Sequence, residues 1–304
     1  MTVPDSPQPL WPLASGLDRA AEERADEGLI DRLRADAGTR VLVLHGDRVP
    51  LASDAAIAWV TPAQPEGPAV HWAFLGRDAD GAALLLAAVA ADAPVPHRWE
   101  RWGALRTVGG DLAGVDAPAF ATGLSLGRWL VDAPFCPACG SATRVHSSGW
   151  ARTCTGCGRQ HFPRTDPAVI VAVSSPDRKR LLLGSNALWA QQNRYSTFAG
   201  FVEAGESLES AVAREVHEEA GVRLSQVRYG GSQAWPYPRS LMLGFHAVAD
   251  DEHAARADGE EIVAVRWFDR AEIGAALGGG GEVLLPGPAS IARRLITQWH
   301  AEAR

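Results

Sequence analysis

The chain has 304 residues, 46% of them hydrophobic and 21% charged, enough apolar material for two or three compact soluble units. A formal net charge of −7 excludes a general nucleic-acid binder working by bulk electrostatics and leaves room only for a local basic patch. The longest apolar run, Ala82 to Ala91, is about half a membrane span, and the N-terminus carries acids where a signal peptide has its basic region. No membrane association and a cytoplasmic location are therefore expected.

Residues 17–36 have helical spacing, and 40–51 alternate around Gly46-Asp47 as a hairpin does. Strand-like runs at 69–76 and 82–89 flank the turn signal Asp80-Gly81, and 116–131 return to a helical period. This predicts an N-terminal mixed α/β domain over 1–132. The next stretch, 133–165, is too poor in aliphatic residues to bury a core and needs a staple. Beyond it, runs at 168–173 and 180–185 bracket a turn. A helix is predicted over 207–220, strands near 226–235, 240–248 and 261–268, and a terminal helix around 288–302, with Gly278 to Gly281 as a loop before it.

Four cysteines fall in the stapled stretch as C-x2-C-x14-C-x2-C: Cys136, Cys139, Cys154 and Cys157. A glycine follows the second cysteine of each pair. Two such knuckles present four thiolates tetrahedrally, which predicts one structural Zn²⁺ with no open position for chemistry. No acid occurs between 133 and 165, but Arg144, Arg152, Arg159 and Arg164 do. They either offset the double negative charge of a zinc tetrathiolate or form a landing patch for the phosphates of a longer substrate, such as an RNA 5′ end.

On the helix over 207–220, Leu208, Ala211, Val212 and Val216 line one side, while Glu215, Glu218 and Glu219 crowd another. Carboxylates at these spacings repel by roughly 0.2–0.5 kcal/mol per pair. A bound hard cation, Mg²⁺ or Mn²⁺, removes that cost. Residues 200–222 match G-x5-E-x7-R-E-U-x-E-E-x-G-U at every fixed position: Gly200, Glu206, Arg214, Glu215, Val216, Glu218, Glu219, Gly221 and Val222.

That pattern resembles the signature of the Nudix hydrolases. The resemblance implies an α/β/α sandwich over 166–304, and hence an α/β (α+β) class for the whole chain, with metal-dependent attack of water on a nucleoside-linked pyrophosphate. By the same resemblance Glu215, Glu218 and Glu219 carry the metals with the carbonyl of Ala199, Arg214 orients the glutamates and Glu206 braces the loop. Glu219 or Glu218 serves as the base. Glu261 stands where related enzymes add a ligand, with Glu260 as the neighbour that could be mistaken for it.

Downstream, residues 232–240 read Ser-Gln-Ala-Trp-Pro-Tyr-Pro-Arg-Ser. They resemble the motif of the NADH pyrophosphatase branch, which also carries a four-cysteine ribbon before its Nudix domain. The resemblance implies a nucleotide site built from Gln233, Ala234, Trp235, Pro236, Tyr237, Pro238, Arg239 and Ser240, with Phe162 and Phe201 as stacking platforms and a backbone contact from Ala292. Two departures bear on specificity: Ala234 replaces a proline, and Phe162 stands where a tyrosine is common.

The expected substrates are NADH, NAD⁺ and NAD-capped RNA, and the expected assembly is a homodimer. Alternatives are a pyrophosphatase for ADP-ribose or another nucleoside diphosphate derivative, and a nucleotide-sensing or RNA-binding module without turnover.

Overall fold

The structure, a computed structural model, describes residues 16–65, 70–94, 99–189 and 191–302. They form two compact units, one ending at Arg164 and the other running from Thr165. The first fifteen residues of the predicted N-terminal domain lie outside the described residues.

The first unit begins with a 3₁₀ turn, Ala21–Ala25, and α1, Leu29–Ala35. The single helix expected over 17–36 is thus two pieces. The Asp26 carboxylate accepts the Gly28 N–H at 2.8 Å and pairs with Arg32 at 2.5 Å, a local alternative to helical bonding that breaks the run. Strands β1 (Arg40–His45), β2 (Arg48–Ser53), β3 (Ala56–Ile57), β4 (His71–Arg77), β5 (Ala83–Val89) and β6 (Trp102–Ala104) make a six-stranded sheet ordered β3-β2-β1-β5-β4, with β6 on β2. The β1–β2 and β4–β5 hairpins fall where the turn residues place them. The short α2 (Leu105–Val108) and the long α3 (Asp116–Asp132) follow.

The cysteine-bearing segment belongs to this same unit as a three-stranded sheet of β7 (Thr143–His146), β8 (Ala151–Cys154) and β9 (Gln160–His161). It is anchored by Trp150, whose indole N–H donates to the Phe74 carbonyl at 2.7 Å and whose ring lies 3.8 Å from the Arg24 guanidinium.

The second unit is built on β10 (Asp166–Ser174), β11 (Arg180–Asn186), β12 (Phe198–Phe201), β13 (Leu224–Trp235), β14 (Ser240–Ala249) and β15 (Ile262–Asp269), in the order β13-β14-β10-β11-β15 with β12 on β10. Alternation along the central strands divides two cores. Val169, Val171, Val173, Phe245 and Ala247 pack under α4 (Leu208–Ala220), while Ile170 and Ala172 pack under α5 (Arg270–Leu277) and α6 (Ile291–Ala301). This is the expected α/β/α sandwich. Helix α5 and strand β12 are absent from the sequence reading. The helix had a legible signal, since Asp269 and Glu272 form a complete capping box.

Candidate active site

Helix α4 starts where Ser207 accepts the Ser210 N–H at 3.2 Å and ends at Gly221, whose φ of 69° stops the helix. Its apolar face, Ala211, Val212 and Val216, is fully buried, which fixes the rotation of the helix and turns Arg214, Glu215, Glu218 and Glu219 toward β12 and the loop after it.

Arg214 is the hub. Its Nε and Nη2 grip Glu206 at 2.9 Å each; Nη1 reaches Glu215 at 2.9 Å and Glu218 at 3.0 Å, and Nη2 also donates to the Phe201 carbonyl at 3.0 Å. All five guanidinium N–H groups can thus be matched to acceptors. These bonds hold Glu206 at a pKa of about 2, and its free reach goes to the Glu203 N–H at 3.0 Å, bracing the loop.

Glu219 differs from its neighbours. Only 6% exposed, it has Oε2 buried without a hydrogen-bond partner among the described residues. Burial pushes its carboxyl up to about 8, the Glu261 and Glu215 charges add to the rise, and the Ala199 N–H partly opposes it. Glu261 is therefore the acid that faces this cluster, and it also meets Asn186 Nδ2 at 3.4 Å. Glu261, and not its neighbour Glu260, is the strongest charge acting on Glu219. The sequence reading missed Asp258, whose carboxylate caps the backbone N–H groups of Glu260, Glu261 and Ile262 and adds to the field on Glu219. Its signal was an Asp-Gly pair just before a strand.

The chemistry of the donor set suits a hard divalent cation. Glu215, Glu218 and Glu219 offer carboxylates from one helix, Glu219 carries a buried oxygen without a partner among the described residues, and Gly200 leaves the space that Glu215 fills. The identity of such an ion is a separate matter from the fit. Among the described residues only the cysteine quartet is already drawn close enough to close on an ion.

The remaining expected residues divide. Ala234 to Arg239 form the end of β13 and the β13–β14 turn; the Trp235 and Tyr237 rings meet at a tilt of 57° with centroids 5.1 Å apart, Pro236 is buried and Pro238 exposed. Arg239 pairs with Asp166 at 2.7 Å, and Ser240 is buried. Phe201 is 54% exposed beside the Arg214 hub, and Phe162, in the first unit, is 45% exposed. Both rings are thus open for stacking rather than core residues.

Gln233 departs from the expectation of a free nucleotide contact. It is 2% exposed, its Nε2 donates to the Ala289 carbonyl at 2.7 Å, and its Oε1 accepts the Ile291 N–H at 2.8 Å. Its amide fastens the start of α6, where Ala292 sits buried in the first turn.

In the first unit the four cysteine sulfurs all lie within 4.8 Å of one another, with Cys139 to Cys154 at 3.4 Å and Cys136 to Cys157 at 3.8 Å. A tetrahedron with metal–sulfur bonds of about 2.3 Å has edges of about 3.8 Å. Gly140 and Gly158, both at φ 73°, close the two knuckles in a conformation that a side chain would strain. The arrangement supports a structural zinc. Of the four arginines nearby, Arg144, Arg159 and Arg164 are exposed. Arg152 departs from the landing-patch expectation: at 3% exposure it bonds the Leu130 carbonyl and Thr143 and is closed to a substrate phosphate.

Residues 164–284 match the NUDIX domain, and 132–162 match the NADH pyrophosphatase zinc ribbon domain. NAD-capped RNA hydrolase NudC of Mycobacterium tuberculosis is 40% identical over 279 residues, spanning 88% of this chain and 85% of that protein. This chain belongs to the NudC family of Nudix hydrolases. NudC of Stutzerimonas stutzeri is 40% identical over 67% of this chain and 70% of its own length. A Nudix hydrolase structure from Nitrosomonas europaea superposes on 56% of this chain and 91% of its own, with a TM-score of 0.44 and 22% identity. No helix among the described residues is long and apolar enough to cross a membrane.

Proposed function

We propose that this Nudix hydrolase cleaves the pyrophosphate of NADH and NAD⁺ to AMP and nicotinamide mononucleotide, and removes 5′-NAD caps from RNA. The observation that carries the reading is the intact carboxylate cluster centred on Arg214 and Glu219, in a chain similar along 88% of its length to NAD-capped RNA hydrolases. A pure binding module has no need of a buried, unpartnered carboxylate.

Glu215, Glu218 and Glu219, with Glu261 and Ala199, would hold the divalent ions, Mg²⁺ or Mn²⁺. Such ions neutralise the pyrophosphate and lower the pKa of a water molecule. The rest falls to the chain. Glu219 or Glu218 takes the proton as the water oxygen bonds to phosphorus; the bridging P–O bond breaks, and its electrons leave with the second phosphate. Arg214 keeps Glu215 and Glu218 in register throughout, and Glu206 keeps Arg214. Phe201 offers a stacking surface worth roughly 1–3 kcal/mol per base, and the Trp235–Tyr237 pair frames the nucleotide. We take Gln233 to act by positioning Ala292. A homodimer in the cytoplasm completes the reading.

The test is turnover of NADH, NAD⁺, ADP-ribose and NAD-capped RNA in parallel with Mg²⁺ and with Mn²⁺, products resolved by chromatography. AMP and nicotinamide mononucleotide released well ahead of any ADP-ribose cleavage are expected. The engagement of Gln233 with backbone favours ADP-ribose as the second reading, and a preference for it would replace the proposed specificity while leaving the metal chemistry. Full metal-dependent turnover by Glu219→Gln would refute the catalytic assignment.

A further inference from the structure

We propose that the Nudix unit carries a second anion site, a cavity for one phosphate group on the face of the sheet opposite the carboxylate helix. The placement follows from strand alternation. Ser174 shares its face with Ile170 and Ala172, and His246 and Val248 lie opposite in direction to Phe245 and Ala247, so all three point toward α6 rather than α4. Here a cavity of about 200 Å³ opens among Ser174, Arg178, Arg228, His246, Arg270 and Trp299. Pockets for drug-sized ligands run to roughly 300–1,000 Å³, so a phosphate-sized occupant suits it better than a dinucleotide.

The lining is a set of donors. Arg270 enters from the start of α5, where its guanidinium lies 4.1 Å from the Trp299 ring, contacts the Trp299 carbonyl and donates to the Arg178 carbonyl at 3.1 Å. These are neutral acceptors, and among the described residues no carboxylate pairs with it. Among the described residues the guanidinium of Arg178, at the tip of the β10–β11 turn, meets the neutral Gln226 Oε1 at 2.5 Å. Arg228 is the one arginine here with an acid, Glu302, at 2.5 Å, and both partners of that pair are about half exposed. Among the described residues, three guanidinium groups against one carboxylate leave the cavity cationic.

Trp299 supplies an apolar wall: it is 2% exposed, and the Arg270 guanidinium lies against its ring. Guanidinium groups can only donate, while a phosphate offers acceptors on every side. His246 does not compete, because its Nε2 meets Gln298 Oε1 at 3.0 Å. A bound phosphate would draw Arg228 from Glu302 and join Arg178 and Arg270 in charge-assisted bonds. Phosphate monoesters and inorganic phosphate share this chemistry, and so do the diesters of an RNA backbone, although the small cavity favours the first two.

The site is independent of the proposed reaction and is tested without turnover. The full chain, free of divalent metal, is titrated with inorganic phosphate by calorimetry. Saturable binding is expected. Arg178→Gln combined with Arg228→Gln, both exposed and outside the carboxylate cluster, should weaken binding by at least about tenfold with hydrolysis unchanged. AMP and an uncapped RNA oligonucleotide are the competing arms. Displacement by AMP supports a monoester site. Displacement by the oligonucleotide alone overturns the cavity in favour of a surface patch, as would affinity undiminished in the double variant or no saturable binding at all.

Discussion

Gly200 lies directly beneath the carboxylate of Glu215: a Cβ at position 200 would stand 2.0 Å from that carboxyl carbon. The first glycine of the Nudix pattern is therefore a space requirement of its helix. Gly200→Ala must push Glu215 off Arg214, and shifts of about 1 Å in such groups cost on the order of 10²-fold in rate. A large fall in kcat with little change in melting temperature is the expected outcome. Unchanged kcat would show that Glu215 can move freely.

Removing zinc should unfold the ribbon and loosen the unit it anchors to through Trp150. Four thiolates without a metal leave too little buried apolar surface to hold three short strands. Metal analysis of the purified chain should give one zinc per chain. Cys136→Ser should lose it and melt earlier, and a variant that keeps both zinc and melting temperature would contradict the closed four-cysteine site.

Gln233→Leu tests the fastening of α6. It keeps the volume but leaves the Ala289 carbonyl and the Ile291 N–H without their partner, at about 1–3 kcal/mol for each buried group. Lower stability in urea together with a raised KM is expected if the amide positions Ala292. Equal stability to the parent protein would remove this account of the residue.

His246 makes stability depend on pH. Burial beneath α6 lowers its pKa below the ordinary 6.5, only partly opposed by the contact with Gln298. The folded chain therefore resists a proton that the unfolded chain accepts. The contribution is complete above 6.5 and is lost as pH falls through that value toward the lower folded pKa. Urea midpoints measured in phosphate-free buffer from about pH 7.5 to about pH 5.5 should fall more for the parent chain than for His246→Gln. Parallel curves would mean that this histidine does not titrate differently on folding.

Sequence alone determined what repeats locally or is set by spacing. The two cysteine knuckles, the caps and carboxylates of α4, and most strands of the second unit were legible because each depends on neighbours within a turn or a hairpin. The break at Asp26 and the capping box of α5 were local too, and were overlooked. What only the tertiary structure decided was how distant groups share one environment. Gln233 could be assigned to α6 only once 56 and 58 residues of separation had been closed by packing. Arg152 was hidden by burial against the end of α3, and the charge of Glu261 was brought to bear on Glu219. The strain-free match of Gly200 to Glu215 belongs to both levels, since the pattern names the glycine and the packed helix explains it. Hydrogen-bond partners, burial and the fields that shift ionisation are properties of the assembled chain, and no window of sequence contains them.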